Sequence, residues 1–141
     1  MKIEVDTHEL DQLDRDLLKL ARETMPRECK RFMRREGGRA ATRTRQGARA
    51  TVKKKTGNYF RSIKASRAWR SGSGYGDKVY STAHHAHLLE YGHGIVVHGH
   101  ATGNKTRAFR IMEKGIQSFD GQFFSDTKVF IDQMVEKGLG G

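Results

Sequence analysis

The distribution of charge constrains this chain more than any other feature. Between Arg27 and Arg70 stand 16 of its 27 Lys and Arg residues and only two acids, Glu28 and Glu36. That stretch carries a net charge of +14, against −3 before it and 0 after it. Unpaired cations cannot be buried, so the stretch must either be solvated or meet negative charge from a partner. A polyanion and an acidic protein surface both satisfy that requirement.

The apolar pattern says what carries the charge. Leu10, Leu13, Leu17, Leu20 and Ala21 recur at helical spacing behind a start signal at Asp6-Thr7-His8-Glu9, where Asp6 or Thr7 can cap and acids suit the positive end of the helix dipole. Pro26 either kinks one long helix or begins a second. Beyond it Cys29, Phe32 and Met33 continue an apolar face, and Arg27, Arg31, Arg35, Arg39 and Arg43 recur at i, i+4, stacked on one side. Neighbouring cations at that spacing repel by a few tenths of a kcal/mol per pair. Gly37-Gly38 is expected to bend or weaken the helix, which runs on to Lys53-Lys54-Lys55.

After that the pattern becomes mixed. Thr56 or Asn58 can cap a short helical turn over Tyr59–Ile63, and Ile63–Trp69 alternates with the period of a strand. Ser71–Gly76 reads as a turn and Asp77–Thr82 as the returning strand, with Trp69 expected to anchor the sheet to a helix. Ala83–Tyr91 reads as a short helix ended by Gly92, with Leu88 and Leu89 for packing. Ile95–Val97 reads as a third strand, His98–Asn104 as a loop, and Lys105–Phe109 as a fourth strand. Ile111–Ser118 is expected to be helical, Asp120-Gly121 to turn, and Phe124–Lys137 to form the last helix. Met1–Val5 reads as a short strand or lead-in. The fold class is therefore α+β: a long kinked N-terminal helix, a small mostly antiparallel sheet of about four strands, a short middle helix and a C-terminal helix. With 141 residues this is expected to be a single domain, 1–55 a helical arm and 56–141 the body.

Chemistry is thinly signalled. Cys29 is the only cysteine, so no intramolecular disulfide can form, and its apolar helical setting suits a packed thiol. No signal peptide is expected, since Met1–Leu20 is acidic and lacks an apolar segment. No apolar run is long enough to span a membrane. The expectation is a soluble protein of a reducing compartment. Six of seven histidines fall between His84 and His100. A structural zinc site wants four Cys or His ligands at recognisable spacing, and only Glu90 is a nearby acid, so these histidines are expected to line a loop and a subunit contact rather than hold a metal. No nucleophile elbow surrounds any serine. Gly72–Gly76 lacks the Lys-Ser/Thr of a phosphate loop. Neither catalysis nor a cofactor is expected.

Two motifs in order are more specific. Thr56-Gly57-Asn58-Tyr59-Phe60-Arg61-Ser62-Ile63 resembles the Thr-Gly-x-Leu-x-x-Ser-Ile segment of the tail-completion, or neck, proteins of siphophages, also labelled head–tail joining or minor tail proteins. About 22 residues on, His85-Ala86-His87-Leu88-Leu89-Glu90-Tyr91-Gly92-His93 resembles that family's Tyr-Ala-x-hydrophobic-hydrophobic-Glu-aromatic-Gly-Thr segment. His85 and His93 replace the usual tyrosine and threonine, and Ala108-Phe109 lacks the family's Pro-Phe. The matching motif residues are Thr56, Gly57, Ser62, Ile63, Ala86, Glu90 and Gly92.

The resemblance implies a non-enzymatic virion subunit, made in the host cytoplasm and placed at the head–tail junction. It implies a ring, expected as a hexamer, between the head connector or stopper and the tail tube or terminator, around a channel for genomic DNA and without a membrane. Arg27, Arg31, Arg35, Arg39, Arg43, Lys53, Lys54 and Lys55 would then face DNA or an acidic partner ring. Glu90, Tyr91, His93, His98 and His100 would lie at a subunit interface, with Glu90 paired to a neighbour's arginine or to Arg61 of its own chain. Gly57 and Gly92 would serve backbone shape. The alternatives are a stand-alone nucleic-acid-binding protein and, behind it, a histidine-metal nuclease.

Overall fold

The computed structural model describes residues 7–53, 57–72 and 74–139. The expected lead-in strand at Met1–Val5 and the candidate caps Asp6 and Thr56 lie outside them. Helix α1 (His8–Lys19) passes through a π-helical turn at Leu20–Thr24 into α2 (Met25–Thr51). Pro26 explains the turn. Its ring has no N–H and crowds the carbonyl four residues back, so the ladder widens just before it, and the Met25 N–H reaches back five residues to the Leu20 carbonyl. Thr7 occupies the N-cap without a side-chain cap bond.

Helix α5 (Ile111–Leu139) is continuous. The expected turn at Asp120-Gly121 does not form. Ile111, Gly115, Phe119, Phe130 and Met134 are buried along one side of it, and that unbroken face outweighs the roughly 1 kcal/mol cost of an internal glycine. Side chains pair α5 with α2 in antiparallel order. Gly115 abuts Thr44, Arg43 meets Gln122, Arg39 meets Asp126, Phe32 stacks on Phe130 at 4.4 Å between centroids, and Gly138 abuts Leu20. Gly37-Gly38 does not interrupt α2. Gly37 is instead a point of close approach, where a Cβ would lie 2.3 Å from Asp77 Oδ2.

Among the described residues two apolar clusters hold the fold together. Leu20, Phe32, Phe130 and Met134 form one, joined by half-buried Met25, Cys29, Met33 and Phe123. Burial pushes the Cys29 thiol pKa up, as befits a packed side chain. Ala48, Phe60, Ile63 and Ile111 form the other, where α2, α5 and the first strand converge.

The class is the α+β expected, but the strands differ in number and grouping. Among the described residues six short strands make three antiparallel pairs: β1 (Ile63–Ala65) with β4 (Val79–Ser81), β2 (Trp69–Ser71) with β3 (Gly74–Gly76), and β5 (Gly94–Val97) with β6 (His100–Lys105). The run Ile63–Trp69 breaks at residues 66–68, where the Ser66 hydroxyl and the Lys78 N–H both bond Asp77 Oδ1. Trp69, expected to anchor the sheet to a helix, lies across the hairpin on Gly76 and is 42% exposed, while Tyr75, paired with Arg70 on the opposite face, lines a groove with Met25 and Cys29. His98–Asn104 is not a loop: His98 and Gly99, with φ of 51° and 81°, make a two-residue turn and β6 follows at once. Gly103, at φ 80°, takes up the bulge in that pair. Residues 106–110 are irregular where a fourth strand was expected. Between β4 and β5 lies the short helix α4 (Ala86–Tyr91), after α3 (Asn58–Ser62) earlier in the chain.

Candidate interaction surfaces

An α-helix turns once in 3.6 residues, so side chains four apart drift by about 40° per step. Arg27 and Arg43 therefore point about 160° apart, and the stripe divides. Arg43 donates to the Ser118 carbonyl (3.1 Å) and Gln122 Oε1 (2.7 Å) of α5. Arg39 bridges Glu36 Oε1 (3.2 Å) and Asp126 Oδ2 (2.9 Å). Arg35 lies over the Phe32 ring. The first two arginines face elsewhere. Arg27 and Arg31, with Lys30, Arg34 and Arg67, line a recess of about 550 Å³. Glu28 lies 3.7 Å from Arg27 and 3.3 Å from Arg31. Among the described residues no carboxylate is in ion-pair range of Lys30, Arg34 or Arg67. Lys53 is exposed, and Lys54 and Lys55 lie outside the described residues.

Glu36 and Asp77 have a different setting. Glu36 is 1% exposed, and its Oε2 is buried without a hydrogen-bond donor. Its pKa is pushed up to about 7, first by burial, then by the hydrogen bond and negative charge of Asp126, against the lowering pull of Arg39 and Arg35. Asp126 is an acceptor, so it completes Glu36 only when Glu36 carries the proton. Asp77 Oδ2 is likewise buried without a donor. Glu36 and Asp77 line one recess of about 250 Å³, with Met33, Val79, Ile116 and Phe119 among its walls.

The motif residues are structural in their contacts. Gly57 takes φ 80° at the N-cap of α3. Ser62 Oγ donates to the Tyr59 carbonyl and meets Ser81 Oγ at 2.7 Å, tying α3 to β4, while Ile63 is fully buried. Gly92 has φ 74°, and a Cβ there would come 2.6 Å from the Thr106 carbonyl. Both glycines thus serve backbone shape. The half-buried Ala86 N–H bonds the Ala83 carbonyl at the start of α4. Glu90 accepts the N–H groups of Met112 (2.9 Å) and Glu113 (3.2 Å), so it caps the start of α5 from α4. Its charge and, above all, burial raise the Tyr59 pKa to about 12. Glu90→Ala is expected to cost about 2 kcal/mol, since two helix N–H groups lose their acceptor. Urea unfolding measures this, and a loss below about 0.5 kcal/mol would show that solvent replaces the cap.

Tyr91 is 75% exposed, and β5–β6 is exposed along its whole length, with Ile95, Val96 and Val97 apolar. His98 and His100 flank the tip of that ribbon and His93 stands at its base, its Nδ1 3.1 Å from Thr106 Oγ1. All six clustered histidines are exposed, and among the described residues no three His, Cys, Asp or Glu side chains gather to hold a metal. No described helix is long and apolar enough to cross a membrane.

The residues not singled out from sequence are Lys30, Arg34, Arg67, Glu36 and Asp77. The i, i+3, i+4, i+7 spacing of Arg27, Lys30, Arg31 and Arg34 is itself a legible signal. Only the tertiary fold brings Arg67 and Asp77 to α2. A family model described as "Bacteriophage HK97-gp10, putative tail-component" matches residues 11–92, from α1 to the glycine that ends α4, and so covers the first motif segment and all but the last residue of the second. No match was found among curated proteins or among solved structures.

Proposed function

We propose that this chain, which belongs to the HK97-gp10-like family of bacteriophage tail components, forms a hexameric ring at the head end of the tail. There it joins the tail tube or terminator to the head connector or stopper, around the path of the DNA. The observation that carries this reading is the apolar surface left uncovered. Leu10, Leu13, Leu17 and Leu18 of α1, and Phe124, Val129, Ile131 and Val135 of α5, are exposed, as is the β5–β6 ribbon. An amphipathic helix gains stability by burying its apolar stripe, and contiguous exposed apolar surface marks protein contacts. Neighbouring subunits would cover them, and the work is mechanical rather than catalytic.

Two measurements test the proposal together. Mass spectrometry of purified virions is expected to find the chain, and phage lacking it are expected to yield heads and tails that fail to join. Its absence from virions, or normal joining without it, would overturn the reading. The stand-alone nucleic-acid reading draws on the five-cation recess. A chain binding duplex DNA there would lose about 0.9 in log–log salt slope for each phosphate contact removed by mutation. In the ring reading DNA contact is secondary, and head–tail joining survives its loss.

A further inference from the structure

Three features of the molecule invite an occupant: the basic recess, the exposed ribbon and the recess lined by Glu36 and Asp77. The last is the most specific. Its walls are apolar side chains and it holds two carboxylates. Each carboxylate has one oxygen already served, Glu36 Oε1 by Arg39 and Asp77 Oδ1 by Ser66 and Lys78 N–H. When Glu36 is ionised, the other oxygen of each is buried with no donor among the described residues. Such orphan acceptors are costly and are rarely left so in a finished structure. Lys78 also lines the recess, but its ammonium lies over the Tyr80 ring at 5.7 Å. Apolar walls leading to unserved carboxylate oxygens fit a side chain with an aliphatic stem and a cationic head.

We propose that this recess receives a lysine or arginine side chain from the Lys30–Arg34 ridge of a second copy of the chain. The ridge is the complementary half: among the described residues its Lys30 and Arg34 have no acidic partner. About 120° around α2 separates the ridge from the side that bears Met33, Glu36 and Ala40. Two copies thus meet through unlike surfaces, and a head-to-tail contact of that kind closes into a ring when its rotation permits. The inference rests on the ring reading and supplies one of its contacts; the uncovered apolar surfaces would add area to it.

The test uses the full chain and two complementary variants, followed by sedimentation velocity at pH 8. Ile116→Lys places a cation of the same chain at the rim of the recess, at an exposed position. Arg31→Glu/Arg34→Glu reverses the ridge. Each variant alone is expected to weaken self-association at least tenfold. An equimolar mixture is expected to form 1:1 dimers, because one intact ridge still meets one intact recess and the second contact is lost. Ile116→Ser is the control for fold and apolar contact, and should leave association within about threefold.

Wild-type chain that stays monomeric at concentrations on the order of 100 µM would overturn the proposal. Equal disruption by Ile116→Ser, unchanged association in either charged variant, or a mixture without dimers would do so as well. If virions contain the chain and heads join tails through it while these outcomes fail, the contact is wrong and the tail assignment stands. If virions lack it, the assignment falls whatever the variants do.

Discussion

Gly115→Val is expected to lower the melting temperature by roughly 10 °C. A Cβ at this position would stand 2.3 Å from Thr44 Oγ1 and 2.9 Å from Thr44 Cα. Thr44 is fully buried and its hydroxyl is held by the Ala40 carbonyl, so neither side chain nor backbone can yield cheaply. Overpacking of this kind costs about 3 kcal/mol, and a chain of this size loses about 3–4 °C per kcal/mol. Gly121→Ala is the matched control in the same helix. Nothing lies within 4 Å of a Cβ there, and the change should stabilise by roughly 0.5–1 kcal/mol through helix propensity. Differential scanning calorimetry of the pair decides it. If valine at 115 melts within about 2 °C of wild type, α2 and α5 are not held at the separation described.

The second large effect is a dependence on pH centred on Glu36. Its folded pKa of about 7 lies above its ordinary value of 4.5. Below pH 4.5 folded and unfolded chains both hold the proton, and Glu36 imposes no penalty. Between 4.5 and 7 only the folded chain holds it, so stability falls as pH rises. Above 7 both have released it and the loss is complete. For a group coupled to Asp126 and Arg39 the total is roughly 2–3 kcal/mol. Glu36→Gln keeps the shape and offers Asp126 an amide donor that does not titrate. At dilute concentration its stability between pH 5 and pH 8 should fall less than the wild type's by that amount. Parallel curves for the two proteins would mean that Glu36 is ionised in the folded chain throughout.

Helix positions were the most legible part of the sequence, because apolar period and capping residues act locally. The α1 stripe of Leu10, Leu13 and Leu17 is where its spacing puts it. Spacing says nothing about what covers a stripe, and these leucines are exposed while Leu20, one step further, enters the core. Glycine misled twice for opposite reasons. Gly121 sits in a helix because Phe119 and Phe130 bury a common face across it, and Gly37 is required by Asp77 arriving from 40 residues away rather than by a bend. The pairing of Ile63–Ala65 with Val79–Ser81 was legible as a strand and its return, but the inner pair β2–β3 was not, since the break at Ser66–Ala68 depends on side-chain bonds to Asp77 that no alternation pattern encodes.

The candidate surfaces divide in the same way. Gly57, Ser62, Ile63 and Gly92 were findable because a turn, a tie and a core position demand particular residue types in a fixed order. Glu90 stood out as an acid in a motif, but its use by the N–H groups of Met112 and Glu113 needs the fold. The arginine stripe was visible and its division was implicit in helix geometry. What assigned Arg39 and Arg43 to α5 was the lie of that helix, known only once both helices are in place.

The pairing of α2 with α5 also bears on the order of events during synthesis. Thr44 meets Gly115 across 71 residues of chain, and Leu20 meets Gly138 across 118. Contacts so distant in sequence slow folding. On the ribosome, α2 is finished long before its partner helix exists, so the groove around Phe32 stays open until α5 emerges. Closure of that groove is therefore a late event in the life of each chain. In the proposed ring, a nascent chain would not present its finished surfaces to a neighbour before then, which would give assembly a built-in delay.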